Sequence, residues 1–230
     1  MTPTIAWAIA IAGAYLLGSV PVGLLMARSK GVNLREVGSG NIGATNTMRA
    51  LGKRLGITCF ILDVAKGAIP TALAGSILIE HPMPGADAWR WLAVAAAAVA
   101  GHMFPVWLRF KGGKGVATGL GALLGMWPVL TIPAVLAAVV WIASLKVTRY
   151  VGVSSCIAAI VIPLLAWVML TLGNNGTLPL WEGGAPMTPF LASTALLALF
   201  VVIKHRGNLR RTLAGTEPRV GGAKTPSEKA

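Results

Sequence analysis

VGVSSCIAAIVIPLLAWVMLTL, residues 151–172, decides how the rest of the chain has to be read. No charged side chain interrupts its 22 residues. About 20 apolar residues in a helix is what the hydrocarbon core of a bilayer requires. The stretches 4–27, 55–79 and 88–108 meet the same requirement, and a shorter one, 189–203, follows a proline-rich loop. Residues 116–145 are apolar too, but Gly125-Met126-Trp127-Pro128 interrupts them. The first stretch lacks a basic leading region and is too long for the apolar part of a cleaved signal, so it reads as a retained helix.

Composition agrees. Of 230 residues, 55% are hydrophobic and 12% charged, with a mean hydropathy of +0.73. Soluble domains carry about 45–50% and about 25%, so too few charges remain to solvate a globule of this size. The same numbers exclude a disordered, collagenous or coiled-coil chain. The net charge is +13. A basic chain often means nucleic acid, but an apolar chain with clustered cations fits the positive-inside pattern of a membrane protein, and no nucleic-acid partner is expected. Cys59 and Cys156 lie in apolar stretches and suggest neither a disulfide framework nor a metal site.

The cations give orientation. Eighteen of the 20 Lys and Arg residues fall in segments 28–54, 109–114 and 146–149 and in the tail after 203. Segments 80–90 and 173–188 hold only Arg90, with Glu80, Asp87 and Glu182. The first set should face the cytoplasm and the second the outside. Segments 109–114 and 146–149 then share a side, so an even number of crossings joins them. The roughly 30 residues between allow two short helices of about 20 Å each, hinged near Gly125–Pro128. The expectation is an all-α polytopic membrane bundle of about seven transmembrane helices, N-terminus outside and C-terminus cytoplasmic. A re-entrant hairpin at 116–145, leaving five full spans, is the alternative. Residues 1–206 would form one integral-membrane domain, and 207–230 a basic cytoplasmic tail with a disordered end.

Three segments on the expected cytoplasmic face carry polar residues that spanning does not require. The first is GSGNIGATN, residues 38–46, followed by Arg49. Gly38, Gly40 and Gly43 permit backbone shapes that aim N–H groups at one spot, and such concavities bind anions. Ser39, Asn41, Thr45 and Asn46 add donors, and Arg49 can fork onto phosphate. The spacing matches a dinucleotide fingerprint, but no strand precedes it, so that assignment fails. The second is GHMFPVWLRFKGGKGVATG, residues 101–119, where Lys111 and Lys114 flank Gly112 and Gly113, and Gly115 precedes an apolar helix. Amides and ammonium groups at a helix N-terminus suit phosphate. The third is KHRGNLRRTLAGTEPR, residues 204–219, in which His205 and Asn208 share a helix face. Asp63 and Lys66, three apart inside a span, can pair with each other. His102 reads as a structural histidine bonded to backbone rather than a proton carrier. No paired carboxylates, metal cage or serine-hydrolase motif appears, so neither a metal nor a cofactor is expected.

Together, in this order among apolar spans, GSGNIGATN with Arg49, FKGGKGVAT, and His205 with Asn208 resemble the bacterial acyl-phosphate-dependent glycerol-3-phosphate acyltransferase family. The HxxxxD motif of the soluble-type glycerol-phosphate acyltransferases follows none of the histidines. The resemblance implies a seven-helix, multi-pass enzyme of the bacterial inner membrane with its active site facing the cytoplasm. It implies transfer of a fatty acyl group from acyl phosphate to the 1-hydroxyl of sn-glycerol 3-phosphate, giving lysophosphatidic acid and phosphate, the first acylation of phospholipid synthesis. Its partners would be those two substrates and membrane lipids. Ser39, Arg49, Lys114, His205 and Asn208 are the expected catalytic residues. Gly38, Gly40, Asn41, Gly43, Thr45, Asn46, Lys111, Gly112, Gly113 and Gly115 are the expected substrate-binding ones. The proton of the attacking hydroxyl would pass to His205 or to a substrate phosphate. The alternative function is a membrane transporter of a phosphorylated metabolite.

Overall fold

A computed structural model describes residues 2–80, 82–178 and 184–220; the expected disordered end, 221–230, lies outside the described residues. Every regular element among them is helical: α1 (Pro3–Gly18), α2 (Val22–Arg28), α3 (Ala44–Leu51), α4 (Lys53–Leu78), α5 (Gly85–Met103), α6 (Val116–Leu124), α7 (Thr131–Thr148), α8 (Val151–Asn174) and α9 (Met187–Leu213), with one 3₁₀ turn at Val106–Leu108. Among the described residues, six helical spans are long and apolar enough to cross a membrane: Pro3–Arg28, Lys53–Leu78, Gly85–Leu108, Thr131–Thr148, Val151–Asn174 and Met187–Leu213. Ile61, Ile77, Ile160, Leu164 and Leu199 point outward from these helices, as a lipid-facing surface requires.

The hinge near Gly125–Pro128 is present, but the two helices it joins are unequal. α6 has 9 residues and α7 has 18, or about 13.5 Å and about 27 Å rather than about 20 Å each. The break falls near the start of the stretch, with only nine residues between Gly115 and Gly125. Gly112 N–H donates to Met103 O and Gly113 N–H to His102 O, both at 3.1 Å, which ties the loop onto the end of α5. α6 therefore starts inside the bundle and lies beside the middle of α4. There the backbones touch. A Cβ on Gly67 would overlap the Thr118 carbonyl, and one on Gly121 the Val64 carbonyl. Small residues at membrane helix contacts allow such approach, where dispersion rather than the hydrophobic effect drives association.

α9 continues to Leu213, so residues 207–213, at the start of the basic tail segment, are helical. The chain then folds back: Thr216 and Glu217 N–H donate to Arg211 O at 2.8 and 3.1 Å, and Val220 N–H to Arg149 O at 2.8 Å. Arg219 Nε donates to Tyr150 Oη at 3.0 Å. A core of Trp7, Trp91, Met126, Leu130, Leu170 and Phe190 fills the opposite half of the bundle. Within it, Trp91 Nε1–H donates to Thr71 O at 2.7 Å.

Candidate active site

The three polar segments meet. They line one cavity of about 370 Å³, with Ser39, Asn41, Gly43, Thr45, Asn46 and Arg49 on one wall, and Lys114, Gly115, His205 and Asn208 opposite. Gly38, Gly40, Lys111, Gly112 and Gly113 do not line it. Each has another place. Gly38 and Gly40 take φ of +57° and +66°, which side chains rarely adopt, and so shape the loop behind the wall. Lys111 is exposed, and its carbonyl accepts a hydrogen bond from Arg35 Nη2 at 2.6 Å. The Gly112 and Gly113 amides are committed to the α5 carbonyls rather than free for an anion.

The first wall divides into framework and donors. Asn46 is 1% exposed. Its Oδ1 accepts from Ser39 N–H at 2.8 Å, and its Nδ2 donates to Leu34 O and Val37 O, each at 3.0 Å. That amide holds the loop. Asn41 Oδ1 accepts from Gly43 N–H at 2.9 Å and shapes the turn into α3. The Ser39 and Thr45 hydroxyls and the Arg49 guanidinium make no hydrogen bond or ion pair among the described residues. They stand as uncommitted donors beside the cavity.

The second wall is a charged relay. Lys114 Nζ donates to Asn208 Oδ1. Asn208 Nδ2 donates to Glu217 Oε1 at 2.5 Å, and Arg211 Nε to Glu217 Oε2 at 2.7 Å. Burial pulls the Lys114 pKa below the ordinary lysine value; Glu217 opposes that, while Arg211 and Arg49 add to it. His205 is buried, and its Nδ1 lies 2.8 Å from Val201 O. A carbonyl only accepts, so Nδ1 carries the proton; in the neutral form of the ring the lone pair is then on Nε2.

Further polar residues, outside the expected catalytic and binding sets, line the cavity. Glu217 had a signal, being an acid within a basic tail. Ser155 lies inside the apolar run 151–172, where its pattern gives no hint; its Oγ donates to Val151 O at 2.8 Å and accepts from Trp141 Nε1 at 3.2 Å. Asp63 and His102 line the floor. Asp63 pairs with Lys66 at 2.9 Å, as their spacing suggested. His102 is not the backbone-bonded histidine expected. Its Nδ1 makes no hydrogen bond among the described residues and lies 3.6 Å from Asp63 Oδ1.

The remaining lining is apolar. Ile57 and Phe60 of α4, Val116 and Ala117 of α6, and Leu145 of α7 face the same space as the cations. Such a cavity suits a molecule with a phosphate at one end and a hydrocarbon at the other. The fold and the site thus define an integral membrane protein with a cavity that is cationic on one part of its lining and apolar on another.

The sequence profile of the glycerol-3-phosphate acyltransferase family matches residues 8–215, and the chain belongs to that family. It is 41% identical over 216 residues to the glycerol-3-phosphate acyltransferase of Desulforamulus reducens, covering 94% of this chain and 96% of that one. It is 40% identical over 207 residues to the enzyme of that name from Geobacter sulfurreducens, covering 90% and 93%. Among solved structures it is similar to PlsY (YgiH), an integral membrane glycerol 3-phosphate acyltransferase. The glycerol 3-phosphate form matches with a TM-score of 0.78 and 37% identity over 94% of this chain and 96% of that one. The lysophosphatidic acid form gives 0.76 and 36% over the same shares.

Proposed function

We propose that this protein transfers a fatty acyl group from acyl phosphate to the 1-hydroxyl of sn-glycerol 3-phosphate, releasing lysophosphatidic acid and inorganic phosphate. One observation carries the proposal: Arg49 and Lys114, 65 positions apart in sequence, border one cavity that also has an apolar side, lined by Ile57, Phe60, Val116, Ala117 and Leu145. Two phosphorylated substrates need converging cations, and the acyl chain needs the apolar side. Ser39, Asn41, Thr45 and Arg49 hold glycerol phosphate with His205 and Asn208. Lys114, on the loop that Gly112, Gly113 and Gly115 shape, holds the acyl-phosphate group.

The chemistry needs no enzyme nucleophile. The 1-hydroxyl oxygen attacks the acyl carbon, the bond from that carbon to the phosphate oxygen breaks, and phosphate leaves with the electron pair. The hydroxyl proton passes to a base, for which the His205 Nε2 lone pair and a substrate phosphate oxygen are the two acceptors at hand. Rate enhancement comes from positioning and from cations aimed at the charge on the leaving phosphate. We place the cavity on the cytoplasmic face of the bacterial inner membrane, because the cation-rich loops carry it.

The test is acyl transfer by purified protein in detergent, with radiolabelled glycerol 3-phosphate and acyl phosphate, acyl-carrier-protein thioester or coenzyme A thioester supplied separately. Labelled lysophosphatidic acid from acyl phosphate alone is expected. A transporter of phosphorylated metabolites forms no product without a sealed compartment, so absence of product with every donor would favour that function instead.

A further inference from the structure

From the cavity floor inward runs a buried series of polar side chains to which the proposed chemistry assigns no task. Cys59 Sγ lies 3.7 Å from both Thr47 Oγ1 and Asp63 Oδ2. Asp63 Oδ1 lies 2.9 Å from Lys66 Nζ and 3.6 Å from His102 Nδ1. Lys66 Nζ also donates, at 2.9 Å, to Val20 O in the break between α1 and α2. Asp63, Lys66 and His102 are 2%, 5% and 5% exposed. Ionisable groups this deep in a membrane bundle are costly, and a helix that needed only to span would carry apolar residues here.

The upper end of the series meets the glycine loop. The His102 carbonyl accepts from Gly113 N–H and the Met103 carbonyl from Gly112 N–H. The imidazole itself lies under the loop, for a Cβ added to Gly113 would overlap His102 Nε2. The next residue is Lys114, whose side chain enters the cavity. One histidine thus touches the loop through both its backbone and its ring, and a buried carboxylate anchored by Lys66 stands beside the ring's other nitrogen.

We propose that Asp63 and His102 are positioning residues that act through Lys114. The carboxylate fixes the ring, the ring and its carbonyl fix Gly112 and Gly113, and the loop then holds the ammonium where the acyl-donor phosphate binds. This rests on the acyl-transfer function above. A purely structural role would lower stability and weaken both substrates alike. Positioning through Lys114 weakens the acyl donor selectively and matters only while Lys114 is present.

The experiment measures initial rates of purified full-length protein against acyl phosphate and against glycerol 3-phosphate, with thermal unfolding of every variant. The variants are Asp63→Asn, His102→Ala, His102→Asn, Lys114→Met and the double variant His102→Ala/Lys114→Met. His102→Ala is expected to lower kcat/KM for acyl phosphate on the order of 10- to 100-fold, the cost of a misplacement of about 1 Å. The KM for glycerol 3-phosphate should stay within about twofold. Asp63→Asn should shift the same parameter in the same direction. His102→Asn, which keeps a donor toward Asp63, should regain part of the loss and remains measurable where the alanine variant does not fold. In the Lys114→Met background, loss of His102 should cost little more. Additive losses in the double variant, an equal rise in both KM values, or wild-type rates in His102→Ala and Asp63→Asn would each overturn the proposal while leaving acyl transfer intact. Absence of acyl transfer by the wild-type protein would instead refute the function itself, and the positioning role with it.

Discussion

Replacing Lys114 with Met keeps an unbranched side chain one atom shorter and removes its charge. An ammonium and a phosphate oxygen about 4 Å apart interact by about 4 kcal/mol at the effective dielectric near a protein surface. Viewed as a charge-assisted hydrogen bond, the contact is worth about 1.5–3 kcal/mol. Two features of the site reduce the loss. Burial and the neighbouring Arg211 and Arg49 already disfavour the ammonium, although Glu217 supports it. Another adds to it, because Asn208 Oδ1 loses its donor. A net loss of about 3–4 kcal/mol corresponds to a fall of about 10²–10³ in kcat/KM. The assay is acyl transfer from acyl phosphate by purified protein in detergent, with thermal unfolding to show that the variant folds. A folded Lys114→Met protein within about tenfold of wild type would refute the phosphate role of Lys114.

Other outcomes follow from the same geometry. The site needs Lys114 charged, so activity falls as pH rises through its pKa; burial lowers that pKa, so the alkaline limb of kcat/KM should lie below the value of about 10.4 of a free lysine. Lys114→Arg, charged throughout that range, should move the limb upward in the pH–rate profile. His205→Gln removes the Nε2 base, and a loss of kcat that more glycerol 3-phosphate does not restore is expected; restoration would mark His205 as a binder. Gly121→Ala forces α6 away from the Val64 carbonyl and should cost about 1–3 kcal/mol, read as a lower melting temperature, whereas Gly13→Ala, with nothing within 4 Å, should leave it unchanged. Glu217→Ala frees Asn208 and Arg211 at once, so stability and acyl transfer should fall together, and Glu217→Gln, which keeps an acceptor oxygen, should lose less of both.

The spans were legible because a bilayer fixes the length of an apolar helix, and runs such as 151–172 satisfy it with no help from tertiary contacts. The polar segments were legible because glycine, hydroxyl and cationic residues stand out against that background. His205 and Asn208 follow from helix periodicity, and both do line the cavity. Divisions of labour inside the segments were not legible. Asn41 and Asn46 look alike in sequence, yet Asn46 is fully engaged in holding the loop while Asn41 uses one oxygen on a turn. Gly112 and Gly113 look like anion-cradle residues, but the end of α5 takes their amides. The return of Glu217 to Asn208 and Arg211 depends on the turn that follows α9, and the approach of His102 to Asp63 joins two helices in a way that no local pattern encodes.

The most direct measurement follows both phosphates at once by ³¹P NMR in a detergent solution of the purified protein supplied with acyl phosphate and glycerol 3-phosphate. One inorganic phosphate should appear for each lysophosphatidic acid, and Arg49→Ala or Lys114→Met should slow both signals equally. Acyl phosphate that disappears without lysophosphatidic acid, or lysophosphatidic acid formed only when a thioester replaces acyl phosphate, would contradict a shared cradle for two phosphorylated substrates.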